Sequence, residues 1–211
     1  MEIIIVVLYS YLFGSIPFGL ILTKIFSKKD IRKIGSGNIG ATNVLRTGNK
    51  ILASSTLILD ILKGYLPVLI TKQYFPEYVY ISSLLAFLGH IFPLWLKFKG
   101  GKGVATYLGI LFALSIQLAI LFIFTWIVVS LIFKYSSVSS IFASLTVFFV
   151  SIIREISVPI LSKLSDNINE LNTITSSKNS FLLFIFFILI IFTHRKNISN
   201  LKNKTEHKIK L

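Results

Sequence analysis

Cysteine is absent from the 211-residue sequence. That absence excludes disulfides, thiolate metal sites and a cysteine nucleophile, and it leaves the redox compartment unmarked. Acidic residues are scarce as well, with 8 Asp and Glu against 22 Lys and Arg and a formal net charge of +14. No group of His and carboxylate residues has metal-ligand spacing, so neither a metal nor another cofactor is expected. A basic segment is also missing at the start, which reads Met1, Glu2 and then apolar residues. A cleaved secretory signal is therefore not expected, and the first apolar run reads as an anchor with its N-terminus outward.

What the chain has in abundance is apolar sequence. It is 54% hydrophobic, its mean hydropathy is +0.80, and the apolar residues come in long uncharged runs. A bilayer core about 30 Å thick takes roughly 20 helical residues to cross. Ile3 to Thr23, Ile51 to Thr71 and Tyr78 to Leu96 meet that length. Val104 to Phe133 is a run of 30 residues, which as one helix would extend about 45 Å. Val138 to Ile153 and Phe181 to Thr193 are shorter. The length suggests a single membrane-embedded domain over residues 1–211.

Basic residues orient the spans. Lys24, Lys28, Lys29, Arg32, Lys33, Arg46 and Lys50 lie in the first loop. Lys97, Lys99 and Lys102 lie in the second. Arg195, Lys196, Lys202, Lys204, Lys208 and Lys210 lie in the tail. These segments hold 16 of the 22 basic residues, so all three are expected on the cytoplasmic side. An even number of crossings must then separate the second loop from the tail. Two helices within Val104–Phe133, breaking near Ser115 to Gln117, give seven spans and put the linker Arg154 to Lys178 outside. A five-span arrangement also satisfies parity, and seven is preferred. The expected fold is an all-α polytopic bundle, N-terminus outside and C-terminus cytoplasmic. Because the cations sit on short loops between apolar runs, nucleic acid is the weakest partner for the positive charge, behind anionic lipid and anionic substrate.

Two glycine loops carry the chemistry. Gly35-Ser36-Gly37-Asn38-Ile39-Gly40 matches the dinucleotide-binding pattern, but a membrane helix and a basic turn precede it where a strand is required. The nucleotide reading fails. The anion-binding physics survives, because glycines let backbone N–H groups converge while Ser36, Asn38, Thr42 and Asn43 add short polar donors. Arg46 adds a forked cation suited to phosphate. The alternative is a flexible interhelical turn. Phe98-Lys99-Gly100-Gly101-Lys102-Gly103 is a second such loop. It is not a Walker A loop, since Leu96 stands where the first glycine belongs and Gly103 follows the lysine. A basic membrane-surface turn is its plain alternative.

Within the spans, His90 is a functional candidate by default, with a histidine bonded to a backbone carbonyl as the alternative. Asp60 and Lys63 share one helical face at i, i+3. Charges at that depth cost about 3 kcal/mol each on insertion scales unless paired, so an internal ion pair is the simplest reading. The tail segment His194-Arg195-Lys196-Asn197 faces the same side as both loops, though a solvated anchor would look alike. The linker Ser162 to Ser180 offers no site chemistry. Asp60, Lys63 and His90 would also suit a pathway for an anionic solute, but the polar groups gather at one face and the halves show no internal repeat.

These segments are familiar together. Ser15-Ile16-Pro17-Phe18-Gly19, the first glycine loop continued through Ala41-Thr42-Asn43, Leu59-Asp60-Ile61-Leu62-Lys63-Gly64 and Gly89-His90-Ile91-Phe92-Pro93 resemble the bacterial acyl-phosphate-dependent glycerol-3-phosphate acyltransferases (the PlsY family). Phe98 through Thr106 and the tail residues His194-Arg195, Asn197-Ile198, Leu201 and Thr205-Glu206 extend the resemblance over nearly the whole chain. Two positions depart: Lys204 stands where the family usually has glycine, and Asn200 where a basic residue is common.

The resemblance implies acyl transfer from a fatty acyl phosphate to the 1-hydroxyl of glycerol 3-phosphate, the first committed step of phospholipid synthesis. The other large acyltransferase class uses His and Asp separated by four residues; here Trp95 and Ser199 occupy the fifth positions after His90 and His194, so that mechanism is absent. Ser36, Arg46, Lys102 and His194 are then expected at the reaction itself. Gly35, Gly37, Asn38, Gly40, Thr42, Asn43, His90, Lys99, Gly101, Asn197 and Glu206 are expected to bind substrate. The implied partners are the two phosphorylated substrates, the bacterial cytoplasmic membrane and, functionally, the enzyme that makes acyl phosphate; a monomer is expected.

Overall fold

The computed structural model describes residues 1–162 and 177–209, all helix and connecting turns. It divides into two compact units, Met1–Leu114 and Ser115–Leu211. In the first, α1 (Glu2–Ser15) and α2 (Phe18–Ser27) lead to a short α3 (Ala41–Leu45) and the long α4 (Lys50–Tyr74). Then come α5 (Val79–Ile91) and α6 (Val104–Leu114). The second unit comprises α7 (Ile116–Phe133), α8 (Ser136–Ser162), α9 (Ser177–Thr193) and α10 (Arg195–Lys202).

Among the described residues, four helices are long and apolar enough to cross a membrane: Lys50–Tyr74, Pro76–Leu96, Ile116–Phe133 and Ser136–Ser157. The number rises to six if the bent pairs α1–α2 and α9–α10 each form one span. Large apolar side chains face outward, as lipid-facing helices require. On α7, Ile120, Phe124, Ile127 and Leu131 are all exposed.

The expected first span, Ile3 to Thr23, is not one straight helix. Its two halves are bent by 40° at Ile16-Pro17. Proline has no N–H for the preceding turn and drives the residue before it out of the helical region. Ile16 is accordingly extended, with ψ 118°. The long run Val104–Phe133 breaks at Ser115, whose side chain accepts from the Leu118 N–H and so caps α7. α6 has 11 residues and is about 16 Å long. The linker expected from Arg154 begins later, because α8 runs on to Ser162. Most of that linker, residues 163–176, lies outside the described residues.

Within the first unit, glycines set how closely helices approach. Gly64 of α4 lies against the Thr106 carbonyl of α6, and Gly109 of α6 against the Ile61 carbonyl of α4; neither site has room for a Cβ. Small residues let membrane helices pack backbone to backbone. α4 is capped by Asn49, whose side chain accepts from the Leu52 N–H at 3.0 Å. Tyr9 and Thr71 share a hydrogen bond between α1 and α4, and Ser10 meets Ser82 of α5 at 2.8 Å.

In the second unit the tail folds back on the turn between α7 and α8. The Ile209 N–H donates to the Lys134 carbonyl at 2.7 Å, and Lys208 lies over the Tyr135 ring. That return depends on Lys204, which sits at φ +57°, a left-handed conformation that favours glycine. Lys204→Gly should raise the stability of the purified protein by about 0.5–1 kcal/mol, read as a higher melting temperature in detergent. A lower melting temperature would show that the lysine side chain contributes more than its backbone costs.

Candidate functional site

The first glycine loop is built around one amide. Asn43 is 2% exposed; its Nδ2 lies 3.1, 2.9 and 2.7 Å from the carbonyls of Ile31, Ile34 and Asn38. Its Oδ1 accepts from the Ser36 N–H at 3.0 Å. The Asn43 amide is thus engaged within the loop on both its oxygen and its nitrogen, and it holds the loop's shape. Asn38 contributes a smaller turn, accepting from the Gly40 N–H at 3.0 Å. Gly35 and Gly37 have φ +55° and +71°, the conformations that let the chain reverse here.

Ser36, Thr42 and Arg46 are the exposed polar side chains of this loop. Arg46 folds back so that its Cδ and guanidinium border the space beside Gly35. A second nearby cation is already committed. Arg32 grips Asp30 through two side-chain hydrogen bonds of 2.9 and 2.6 Å, and the pair holds the Asp30 carboxyl far below the usual carboxylate range. Arg46, not Arg32, is thus the cation the loop presents.

The second loop rests on the end of α5. The Gly101 N–H donates to the His90 carbonyl at 3.1 Å, and the Gly100 N–H to the Ile91 carbonyl at 3.0 Å. His90 is buried, its Nδ1 3.0 Å from Thr106 Oγ1. Its Nε2 occupies the space that a Cβ on Gly101 would take. His90 therefore packs behind the second loop. Lys97 and Phe98 both adopt left-handed backbone conformations, φ +52° and +61°, at a cost of about 1–2 kcal/mol each. Such strain is commonly held at functional sites. Lys99 is exposed and Lys102 half-buried.

An apolar cluster lies under the first loop, and Leu96, two residues before the second loop, packs against it. Ile31, Ile39 and Val44 are buried with Leu20, Leu52 and Ala53, and Ile34 and Leu96 pack against them. Leu96 is also the residue that spoils the Walker pattern. Asp60 and Lys63 lie 2.8 Å apart and are almost fully buried.

In the second unit, Asn197 and Glu206 come together, with Asn197 Nδ2 donating to Glu206 Oε1 at 2.5 Å. Ser137 donates to the same oxygen at 3.3 Å, and Asn200 reaches Oε2 at 3.5 Å. The Asn200 departure thus gives the carboxylate an amide partner. Three donors engage Glu206, which fixes the tail turn where substrate contact is the sequence expectation. Ser137 does not figure in the sequence reading; its signal is four serines among residues 136–140, opening an otherwise apolar run. His194 is 2% exposed, and its Nδ1 lies 2.8 Å from the Ile190 carbonyl. A carbonyl only accepts, so Nδ1 carries a proton there.

The described residues thus make an all-helical membrane protein with two loops rich in glycine and cations. Comparison narrows the class. The sequence model described as glycerol-3-phosphate acyltransferase matches residues 4–204. A glycerol-3-phosphate acyltransferase of Pelagibacter ubique is 56% identical over 211 residues, covering 100% of both chains. One from Mesorhizobium japonicum is 46% identical, over 98% of this chain and 96% of the relative. Among solved structures, PlsY, an integral membrane glycerol 3-phosphate acyltransferase crystallised in its glycerol 3-phosphate form, is 33% identical. It superposes with a TM-score of 0.86 over 100% of this chain and 96% of that one. Its lysophosphatidic acid form gives a TM-score of 0.83.

The chain belongs to the glycerol-3-phosphate acyltransferase family. It is an integral membrane acyltransferase of the PlsY fold.

Asn43→Ala would leave the Asn38 carbonyl and the Ser36 N–H without their amide partner, each such loss costing about 1–3 kcal/mol when buried, while the Ile31 and Ile34 carbonyls keep backbone donors. That variant should lose both thermal stability and activity. Thr42→Ala, at an exposed position, should keep its melting temperature and lose activity only. Equal stability of the two variants would contradict the division of labour within the loop.

Proposed function

We propose that this protein transfers a fatty acyl group from an acyl phosphate to the 1-hydroxyl of glycerol 3-phosphate. The products are 1-acylglycerol 3-phosphate (lysophosphatidic acid) and inorganic phosphate. The observation that carries this reading is the pair of glycine loops, each with exposed or half-buried cations, linked where Leu96 packs on the apolar cluster beneath the first. Both substrates carry phosphate and the leaving group is phosphate, so preorganised donors and cations at these loops stabilise charge where it develops. The acyl chain is apolar and suits a membrane-embedded enzyme.

The hydroxyl oxygen of glycerol 3-phosphate attacks the acyl carbonyl carbon. The bond from that carbon to the phosphate oxygen breaks, and the leaving phosphate takes the electron pair. The hydroxyl proton passes to the phosphate, which serves as base. No acyl-enzyme forms. Ser36, Asn38 and Thr42, with the backbone of Gly35, Gly37 and Gly40, hold the acyl phosphate, while Asn43 keeps that backbone in place. Arg46, Lys99 and Lys102 neutralise phosphate charge, and Gly101 lets the chain approach it closely. His194 and Asn197 position glycerol phosphate, with Glu206 holding Asn197. Residues 1–211 act as one functional domain and a monomer suffices. Supply of a labile acyl phosphate favours coupling to the enzyme that makes it.

The site faces the cytoplasm of the bacterial inner membrane, supported by the basic residues of both loops and the tail. The chain crosses seven times, the N-terminus lying outside and the C-terminus inside. The lack of cysteine makes single-cysteine variants clean reporters. Lys134→Cys should be protected from an impermeant thiol reagent in intact cells, as Lys28→Cys should be, while Glu77→Cys should label. Labelling at position 134 would overturn the seven-span arrangement in favour of five.

The reaction is tested by Lys102→Ala. The variant should insert and fold in membranes but lose acyl transfer by about two orders of magnitude or more. Normal turnover would remove Lys102 from charge stabilisation.

A further inference from the structure

The reaction above gives no work to the charged residues behind the loops. Asp60 and Lys63 lie in the middle of α4 with side chains 3% and 1% exposed. Burying such a pair is costly, and apolar residues of similar volume often hold helices at least as well. Cohesion alone is therefore a weak reason for its presence.

Its contacts lead in two directions. Lys63 Nζ, 2.8 Å from Asp60, donates to the Ile16 carbonyl at 2.7 Å. Ile16 is the last residue before Pro17, at the bend between α1 and α2. Just inside α2, Gly19 lies against the Ile39 carbonyl with no room for a Cβ, and Ile39 belongs to the first glycine loop. One arm of contacts thus runs from the ion pair through the bend to that loop.

The other arm starts at Asp60 Oδ1, 3.9 Å from His90 Nδ1. That nitrogen also meets Thr106 Oγ1 at 3.0 Å, while the far side of the ring backs Gly101. The His90 carbonyl accepts the Gly101 N–H. Thr106 is itself tied to α4, since its carbonyl lies against Gly64, the residue after Lys63. The second arm thus ends at the second glycine loop.

We propose that Asp60, Lys63 and His90 are positioning residues for acyl transfer, holding the two phosphate loops at a fixed separation and angle. The proposal rests on the reading that those loops hold the reacting phosphates. Apolar contacts alone let helices slide by fractions of an ångström. A buried ion pair donating to a fixed carbonyl has one geometry, and misplacement of reacting groups by about 1 Å costs up to a hundredfold in rate. None of the three residues touches substrate.

The test separates positioning from stability. Removing one member of the pair leaves an unpaired buried charge, so single variants would conflate the two. The double variant Asp60→Leu with Lys63→Met removes both charges at similar volume. It should melt close to the wild type and keep KM within a few-fold, with kcat reduced by about tenfold to a hundredfold. His90→Asn, which keeps a polar partner for Thr106 and withdraws the ring behind Gly101, should show the same split and decides the matter if the double variant does not fold. Lys63→Arg, which retains the charge, should recover part of kcat.

A wild-type kcat in a stable double variant, or in His90→Asn, would overturn the proposal. Wild-type enzyme assayed alongside with palmitoyl phosphate and glycerol 3-phosphate keeps the two claims apart. An inactive wild type sinks the reading of the loops, whereas an active wild type with unimpaired variants sinks positioning alone.

Discussion

An ion pair buried within a membrane helix is the interaction on which the first unit turns. In a bilayer the Asp60 and Lys63 charges have no water to solvate them, so each requires a partner nearby. They find each other, and Lys63 also donates to the Ile16 carbonyl at the α1–α2 bend. The bend sets where α2 begins, and α2 carries the first loop against its apolar floor. On the other side, His90 and Thr106 bring the second loop to the same helix. On the positioning proposal, a polar link inside α4 holds the loop that precedes this helix and the loop that follows α5.

The loops themselves obey a related rule. Backbone groups shielded from water need partners within the protein, and the first loop supplies several through the single amide of Asn43. That leaves Ser36, Thr42 and Arg46 exposed for anionic ligands. The second loop takes its supports from the carbonyls that end α5. In both, glycine serves close approach or chain reversal, while cations sit beside the turn. Such an arrangement suits a reaction in which negative charge moves between phosphate groups and little covalent chemistry is asked of the protein.

Much of this was legible in the residues, and the remainder has identifiable reasons. Apolar run length located α4, α5, α7 and α8, because crossing a bilayer imposes a length that composition reveals. Ser115 marked the break in the longest run, since a polar residue with a capping side chain favours a helix start. Run length could not disclose the bend at Pro17, where the apolar composition continues unbroken. The glycine loops announced anion binding, yet pattern alone could not tell Asn43, turned inward, from Thr42, turned outward. Nor could it pair Glu206 with Asn197 and Ser137, the last of which lies 69 positions earlier. Those distinctions depend on contacts between distant segments, which no local spacing encodes.

The central claim is that an acyl phosphate is the donor. It is tested most directly with the purified protein, palmitoyl phosphate and radiolabelled glycerol 3-phosphate, measuring labelled lipid and free phosphate together. The account predicts 1-acylglycerol 3-phosphate and phosphate in equal amounts, with no product from acyl coenzyme A or acyl carrier protein. Product from either of those donors, with none from palmitoyl phosphate, would contradict it.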